Sequence, residues 1–138
     1  MCNVENSDGS VTVLHERHPI AKKEHKCSEC RRFIKAGESY MVERYVFDGE
    51  AHTHKTCLHC QIARDWLIGE CSGFIYGGIA EDIYDHAREG YGFGVARLSA
   101  GMERQWQRKD GRQWPIPKMP PYTFAAPDAA LGDAKEGK

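Results

Sequence analysis

The chain has 138 residues, of which 41% are hydrophobic and 28% charged, and its formal net charge is −1. That length suits one domain with a core of its own. No run approaches the ~20 apolar residues of a membrane-spanning helix, and residues 1–10 lack the basic start and apolar middle of a secretory signal, so the expectation is a cytoplasmic protein without membrane association. In that compartment thiols stay reduced, and paired cysteines point to metal or redox chemistry before disulfides.

In chain order, an N-terminal segment covers 1–20 and a cysteine-bearing module 21–70. A short knuckle at Cys27–Cys30 leads to the Ala36-Gly37 turn. Residues 39–47 carry Tyr, Val and Phe at strand spacing, and Asp48-Gly49 is a hairpin signal because both residues tolerate positive φ. Residues 50–54 are then the return strand. Thr56 is a suitable N-cap for a helix with Ile62, Ala63, Trp66 and Leu67 on one face and Gly69 as its end.

Residues 71–124 read as a helical part of the same compact domain. Ile79, Ile83 and Ala87 make a stripe for a helix over 78–89, with Glu81 and Asp82 well placed in its first turn. Val95, Leu98, Met102 and Trp106 make a second stripe, opposite Arg97, Arg104 and Arg108. Pro115, Pro117, Pro120 and Pro121 exclude a further helix and predict an extended strap, with Trp114, Ile116 and Tyr122 packed on the body. Residues 125–138 are too poor in apolar side chains to fold and are expected to be a mobile tail.

Charge is segregated along this order. Residues 15–35 and 97–118 are each net +4, and residues 36–96 are net −6. The basic side chains Arg31, Arg32, Lys35, Arg104, Arg108, Lys109 and Arg112 are therefore the candidate contacts for an acidic partner or a nucleic acid.

Two Cys-x2-Cys pairs, Cys27 with Cys30 and Cys57 with Cys60, have the spacing that turns two sulfurs toward one point. Together they supply the tetrahedron of a closed structural zinc site, with one Zn2+ as the expected cofactor. His54 is the alternative fourth ligand. Four thiolates with one Zn2+ leave a charge of −2, which Lys26, Arg31 and Arg32 are placed to offset. His25, His52 and His59 are expected as hairpin and helix-surface residues or as donors to sulfur. Cys71 reads as a small buried side chain and Cys2 as a disordered terminal thiol.

The order of knuckle, hairpin and helix, with "C-x2-C … H-x2-C-x2-C" from Cys27 to about Gly69, resembles the treble-clef zinc fingers and the first half of a LIM domain. The sequence departs from LIM domains beyond that point, since only Cys71 follows. The resemblance implies an α+β fold, a treble clef packed with two further helices and the strap, and a structural zinc with a binding role. The run of "TCLHC", the "GG-x-x-ED-x-x-x-H" helix, "W-x-R-x-DG" and the proline segment also resembles small proteins of bacteriophages and prophages, which implies action on a host or phage macromolecule.

The functional expectation is a non-catalytic zinc-finger protein that binds a host or phage protein, with nucleic-acid binding as the alternative. Four protein ligands leave no position for a reactive water. An HNH-like nuclease is the less favoured alternative: Asp48, His52 and His54 are suggestive, but their spacing does not give an adjacent Asp-His pair. A thioredoxin-like redox role uses a single pair on a βαβ unit, and a zinc deaminase needs a glutamate that "HTH" lacks.

Overall fold

The computed structural model describes Cys2 and residues 11–123, so the expected tail lies outside the described residues. The elements are β1 (Val11–Arg17), β2 (His25–Lys26), β3 (Phe33–Ile34), β4 (Tyr40–Phe47), β5 (Glu50–Cys57), α1 (Leu58–Cys71), α2 (Ile79–Arg88) and α3 (Phe93–Glu103). They make a small α+β structure of three helices and antiparallel sheets. One sheet has the order β1-β4-β5, and β2 pairs with β3 in a second, two-stranded sheet.

The β4–β5 hairpin turns at Asp48-Gly49, both with positive φ (56° and 80°), as a two-residue hairpin loop requires. Its register pairs Phe47 with Glu50 and Tyr40 with Cys57, so β5 continues past His54 into the cysteine pair. Tyr40, Met41, Val42 and Glu43 are buried at the inner end of β4, and the tip is exposed. The edge strand β1, which the sequence reading leaves within an N-terminal segment, pairs along β4 with a register shift between Val13 and His15. All seven of its residues are exposed.

The first helix starts one residue later than its sequence signals suggest and ends two residues later. Cys57 is the N-cap, because its sulfur accepts from the Cys60 N–H in the place a Thr56 hydroxyl would take. Gly69 lies inside the helix, where the Tyr122 ring sits so close that a Cβ would overlap it. Ser72, in the left-handed region at φ 66°, closes the helix.

Ile79 and Ile83 of α2 pack with Val95, Leu98 and Met102 of α3, and Ala63, Trp66 and Leu67 of α1 complete this core. Trp106, expected on α3, lies beyond its end with a positive φ of 59°. Its N–H returns to the Gly101 carbonyl at 2.7 Å, and its ring covers Gly101, where no side chain fits. The stripe of four apolar residues is thus a helix of three followed by a reversal.

The last described stretch crosses two helices. Pro120 lies against Gly94, the Trp66 indole N–H donates to the Pro121 carbonyl at 3.3 Å, and the Thr123 N–H donates to Glu70 at 3.0 Å. Trp114 meets Trp106 edge to face. Ile116 faces outward and is 50% exposed, so only Trp114 and Tyr122 of the three expected anchors reach the body.

Candidate metal centre

Cys27 and Cys30 lie between β2 and β3, and Cys57 and Cys60 at the junction of β5 with α1. The knuckle is held by the Cys27 N–H on the Arg32 carbonyl at 2.8 Å and the Arg31 N–H on the Cys27 carbonyl at 3.0 Å, with Arg31 itself at φ 73°. The Ser28 N–H reaches the Lys55 carbonyl at 2.7 Å, which sets the knuckle against β5. All four cysteines are buried, and their sulfurs lie within 4.8 Å of one another.

The cluster fits a metal ion. A tetrahedral zinc with Zn–S bonds near 2.3 Å has sulfur–sulfur edges of about 3.8 Å. Here Cys30 and Cys57 are 4.0 Å apart. N–H groups already face the sulfurs: Cys57 N–H on Cys27 Sγ at 3.4 Å, Cys60 N–H on Cys57 Sγ at 3.5 Å, and the Trp106 indole N–H on Cys60 Sγ at 3.3 Å. Such donors spread thiolate charge into the protein.

The protonation pattern follows from this packing. Hydrogen bonding from Cys27, Cys30 and Cys60 holds the Cys57 thiol well below its ordinary range. Burial pushes Cys60 up, and hydrogen bonding with Cys27 and Cys57 pushes Cys30 up. Hydrogen bonding from Cys30 lowers Cys27 as well, so the protons of the metal-free cluster are shared unevenly among the four sulfurs. A cation of charge +2 entering the cluster would displace those protons.

Arg32 supplies local countercharge. It is 3% exposed, bonds Glu38 at 2.7 Å and the Phe33 carbonyl at 3.0 Å, and accepts no solvent role. Burial lowers its guanidinium, but Glu38 and the Cys57 sulfur outweigh that and raise it. In the amide orientation that satisfies both groups, the Gln113 carbonyl also accepts from Arg32 at 2.9 Å. Arg32 is therefore removed from the candidate partner contacts, because its charge is spent inside the fold.

His54, the alternative ligand, is directed elsewhere. Its Nε2 lies 2.7 Å from Glu29, whose carboxylate also accepts from the Gly77 N–H at 2.7 Å and the Ile79 N–H at 3.1 Å. Glu29, inside the knuckle, thus caps the start of α2, an arrangement the sequence signals did not reveal. His52 stacks on Tyr45, and Asp48 is exposed at the hairpin tip, so this Asp and the two histidines are dispersed. His25 meets the Tyr40 hydroxyl at 3.2 Å and Lys55 at 3.1 Å. His59 Nε2 donates to the Trp114 carbonyl at 2.7 Å, tying the first turn of α1 to the proline-bearing segment.

Arg31, Lys35, Arg104, Arg108, Lys109 and Arg112 are exposed. The turn at 108–112 is closed by the Arg108 N–H on the Arg112 carbonyl, and Arg112 pairs with Asp110 at 2.8 Å. Through Arg32 and Gln113 the knuckle meets the end of this turn.

Cys2 and Cys71 depart from expectation. Both are buried and joined by a disulfide, with Cα atoms 5.7 Å apart, rather than being a terminal thiol and an isolated core residue. Among the described residues no helix is long and apolar enough to cross a membrane. No family model, curated protein or solved structure matches the chain.

Proposed function

We propose that this chain is a non-catalytic zinc-finger protein of treble-clef type that binds a host or phage protein. Zinc is the ion that four thiolates in a tetrahedral setting suit best, and four protein sulfurs leave it no open position for water. Its work is then architectural. It fixes the knuckle on the hairpin and, through Trp106, the end of α3.

The observation that carries the binding reading is a groove of about 610 Å³ between α3 and the proline strap, lined by Gly94, Arg97, Lys118 and prolines including Pro115, Pro117 and Pro120. Beside it Phe93 is 85% exposed, with Ile116 at 50%. Exposed aromatic and aliphatic side chains flanked by cations suit an acidic, partly apolar segment of a partner protein. The assignment of that partner to a host or phage rests on the sequence resemblance to small bacteriophage proteins alone.

A second reading, nucleic-acid binding, is favoured by Phe33, 54% exposed and flanked in sequence by the exposed Arg31 and Lys35. Cations around an aromatic face suit a single strand. The two readings part in one experiment. A bacterial protein should be retained by the purified chain after nuclease treatment and released by the double variant Arg97→Glu, Lys118→Glu. Salt-dependent binding of a random oligonucleotide, lost in Arg31→Glu with Arg108→Glu and unaffected at Arg97, would overturn the protein reading in favour of the second.

A further inference from the structure

A second set of ligand atoms lies at the far end of α1. Cys2, Cys71 and His86 are all buried, and their two sulfurs and one ring nitrogen lie within 4.8 Å of one another. His86 is fully buried on α2, and its Nε2 points at Cys71 Sγ at 3.5 Å and Cys2 Sγ at 3.8 Å. Its Nδ1 is taken by the same helix, 2.7 Å from the Asp82 carbonyl and 3.1 Å from the Asp82 carboxylate.

These contacts fix the tautomer. Both neighbours of Nδ1 are acceptors, so Nδ1 carries a proton, and in the neutral imidazole Nε2 presents its lone pair. A disulfide has no proton to give, so in the oxidised protein the neutral ring's lone pair faces only the two sulfurs. An imidazole whose far N–H is held by a carboxylate and a carbonyl, and whose lone pair faces two cysteines, is the orientation of a metal-ligating histidine.

The distances agree. With Zn–S near 2.3 Å and Zn–N near 2.05 Å, a tetrahedral zinc has sulfur–nitrogen edges of about 3.6 Å. The two observed edges, 3.5 and 3.8 Å, bracket that value. Only the sulfur–sulfur edge differs, and it needs to open from a bond of about 2.05 Å to about 3.8 Å, within reach of side-chain rotation at each cysteine.

We propose that Cys2, Cys71 and His86 form a second, redox-gated metal site, distinct from the four-cysteine centre. A dithiol reductant supplies two electrons and two protons, the Cys2–Cys71 bond opens to two thiols, and the dithiol closes to its own disulfide. Zn2+ then binds the two sulfurs and His86 Nε2, releasing both thiol protons to solvent. The fourth position is left to water or an incoming ligand. Cys2 is thus held to α1 by a covalent bond when oxidised, and to α1 and α2 by the ion when reduced.

The test compares zinc content in two forms of the full chain. One is oxidised; the other is reduced with a dithiol and freed of it under anaerobic conditions, and both are then equilibrated with zinc and desalted. The reduced form is expected to hold one zinc per chain more than the oxidised form. With thiol titration showing that the oxidised form keeps Cys27, Cys30, Cys57 and Cys60 reduced, the difference stands whether or not the four-cysteine centre is filled, and failure of that centre appears separately as an oxidised form without metal. No difference between the two forms, with the additional thiols verified by titration, overturns the proposal. Cys2→Ser should abolish the difference, and His86→Gln should weaken the additional zinc at least about ten-fold. A difference that persists in Cys2→Ser, or an undiminished affinity in His86→Gln, overturns it equally.

Discussion

Around the knuckle and hairpin, the buried interior combines Ile34, Tyr40, Met41 and Val42 with sulfur and paired charge: four cysteines, Arg32 on the half-buried Glu38, and Glu29 with His54. Between α2 and α3 it consists of Ile79, Ile83, Val95, Leu98 and Met102, with the Asp82–His86 pair set to one side. Four clustered thiols repel one another as soon as more than one ionises, and buried ion pairs return little beyond their desolvation cost. Apolar side chains of the same volume stabilise by burial alone. A cation in the four-cysteine cluster, as proposed, would relieve that repulsion in the first region, whereas the second needs nothing beyond its own contacts. The Trp106 indole couples them, because its ring fills the space over Gly101 while its N–H serves Cys60.

The largest expected effect tests the first region's dependence on metal. Cys57→Ser should remove the ion and unfold at least the knuckle and hairpin, since binding of structural zinc is worth about 10–16 kcal/mol and a whole domain's stability about 5–15 kcal/mol. Elemental analysis and a thermal melt check this, and a variant with unchanged zinc and unchanged Tm would break the comparison. Leu98→Ala tests the other side. A cavity of that kind costs about 2–5 kcal/mol, and the folded fraction should keep its four-cysteine zinc. Loss of metal at the same denaturant concentration as loss of helix would show that the two regions unfold as one.

The coupling itself is addressed by Gly101→Ala. The added methyl must displace the Trp106 ring, so a loss of about 1–3 kcal/mol is expected, together with weaker metal retention against a chelator. An unaffected chelation rate would separate Trp106 from the centre. The smallest effect is at Arg32. Burial raises the Glu38 carboxyl, but the hydrogen bond from Arg32 outweighs it and leaves the group lowered. A depressed carboxyl contributes stability that is fully present above its unfolded pKa of about 4.3 and is lost as pH falls through its folded value. Glu38→Gln should therefore cost about 1 kcal/mol at pH 7, and the gap to the unaltered chain should close as pH falls below about 4. A gap that stays constant to acid pH would show that the carboxylate charge is irrelevant there.

Much of the second region was legible in advance because its signals are local. The Ile79, Ile83 stripe with Glu81 and Asp82 in its first turn places α2 within a residue at each end. Asp48-Gly49 likewise marks the hairpin, since few other pairs accept those angles. The cysteine spacing marks the four residues that cluster. What failed were the signals that stand for a local rule but serve a distant partner. Gly69 looks like a helix end and is instead the space for Tyr122; Trp106 continues a helical stripe and instead turns back onto sulfur.

By itself, the sequence determined which cysteines pair at two-residue spacing, where the hairpin turns and which faces of the helices are apolar. Those properties depend on dihedral preferences and periodicity within a few residues. Only the tertiary structure decided that Arg32 faces inward, that His54 serves Glu29 rather than an ion, and that Cys2 meets Cys71 and His86. Each of these depends on groups 25 to 84 positions apart or on the packing of separate elements, and a buried charge or lone pair is directed by the nearest complementary group in space, which spacing along the chain does not encode.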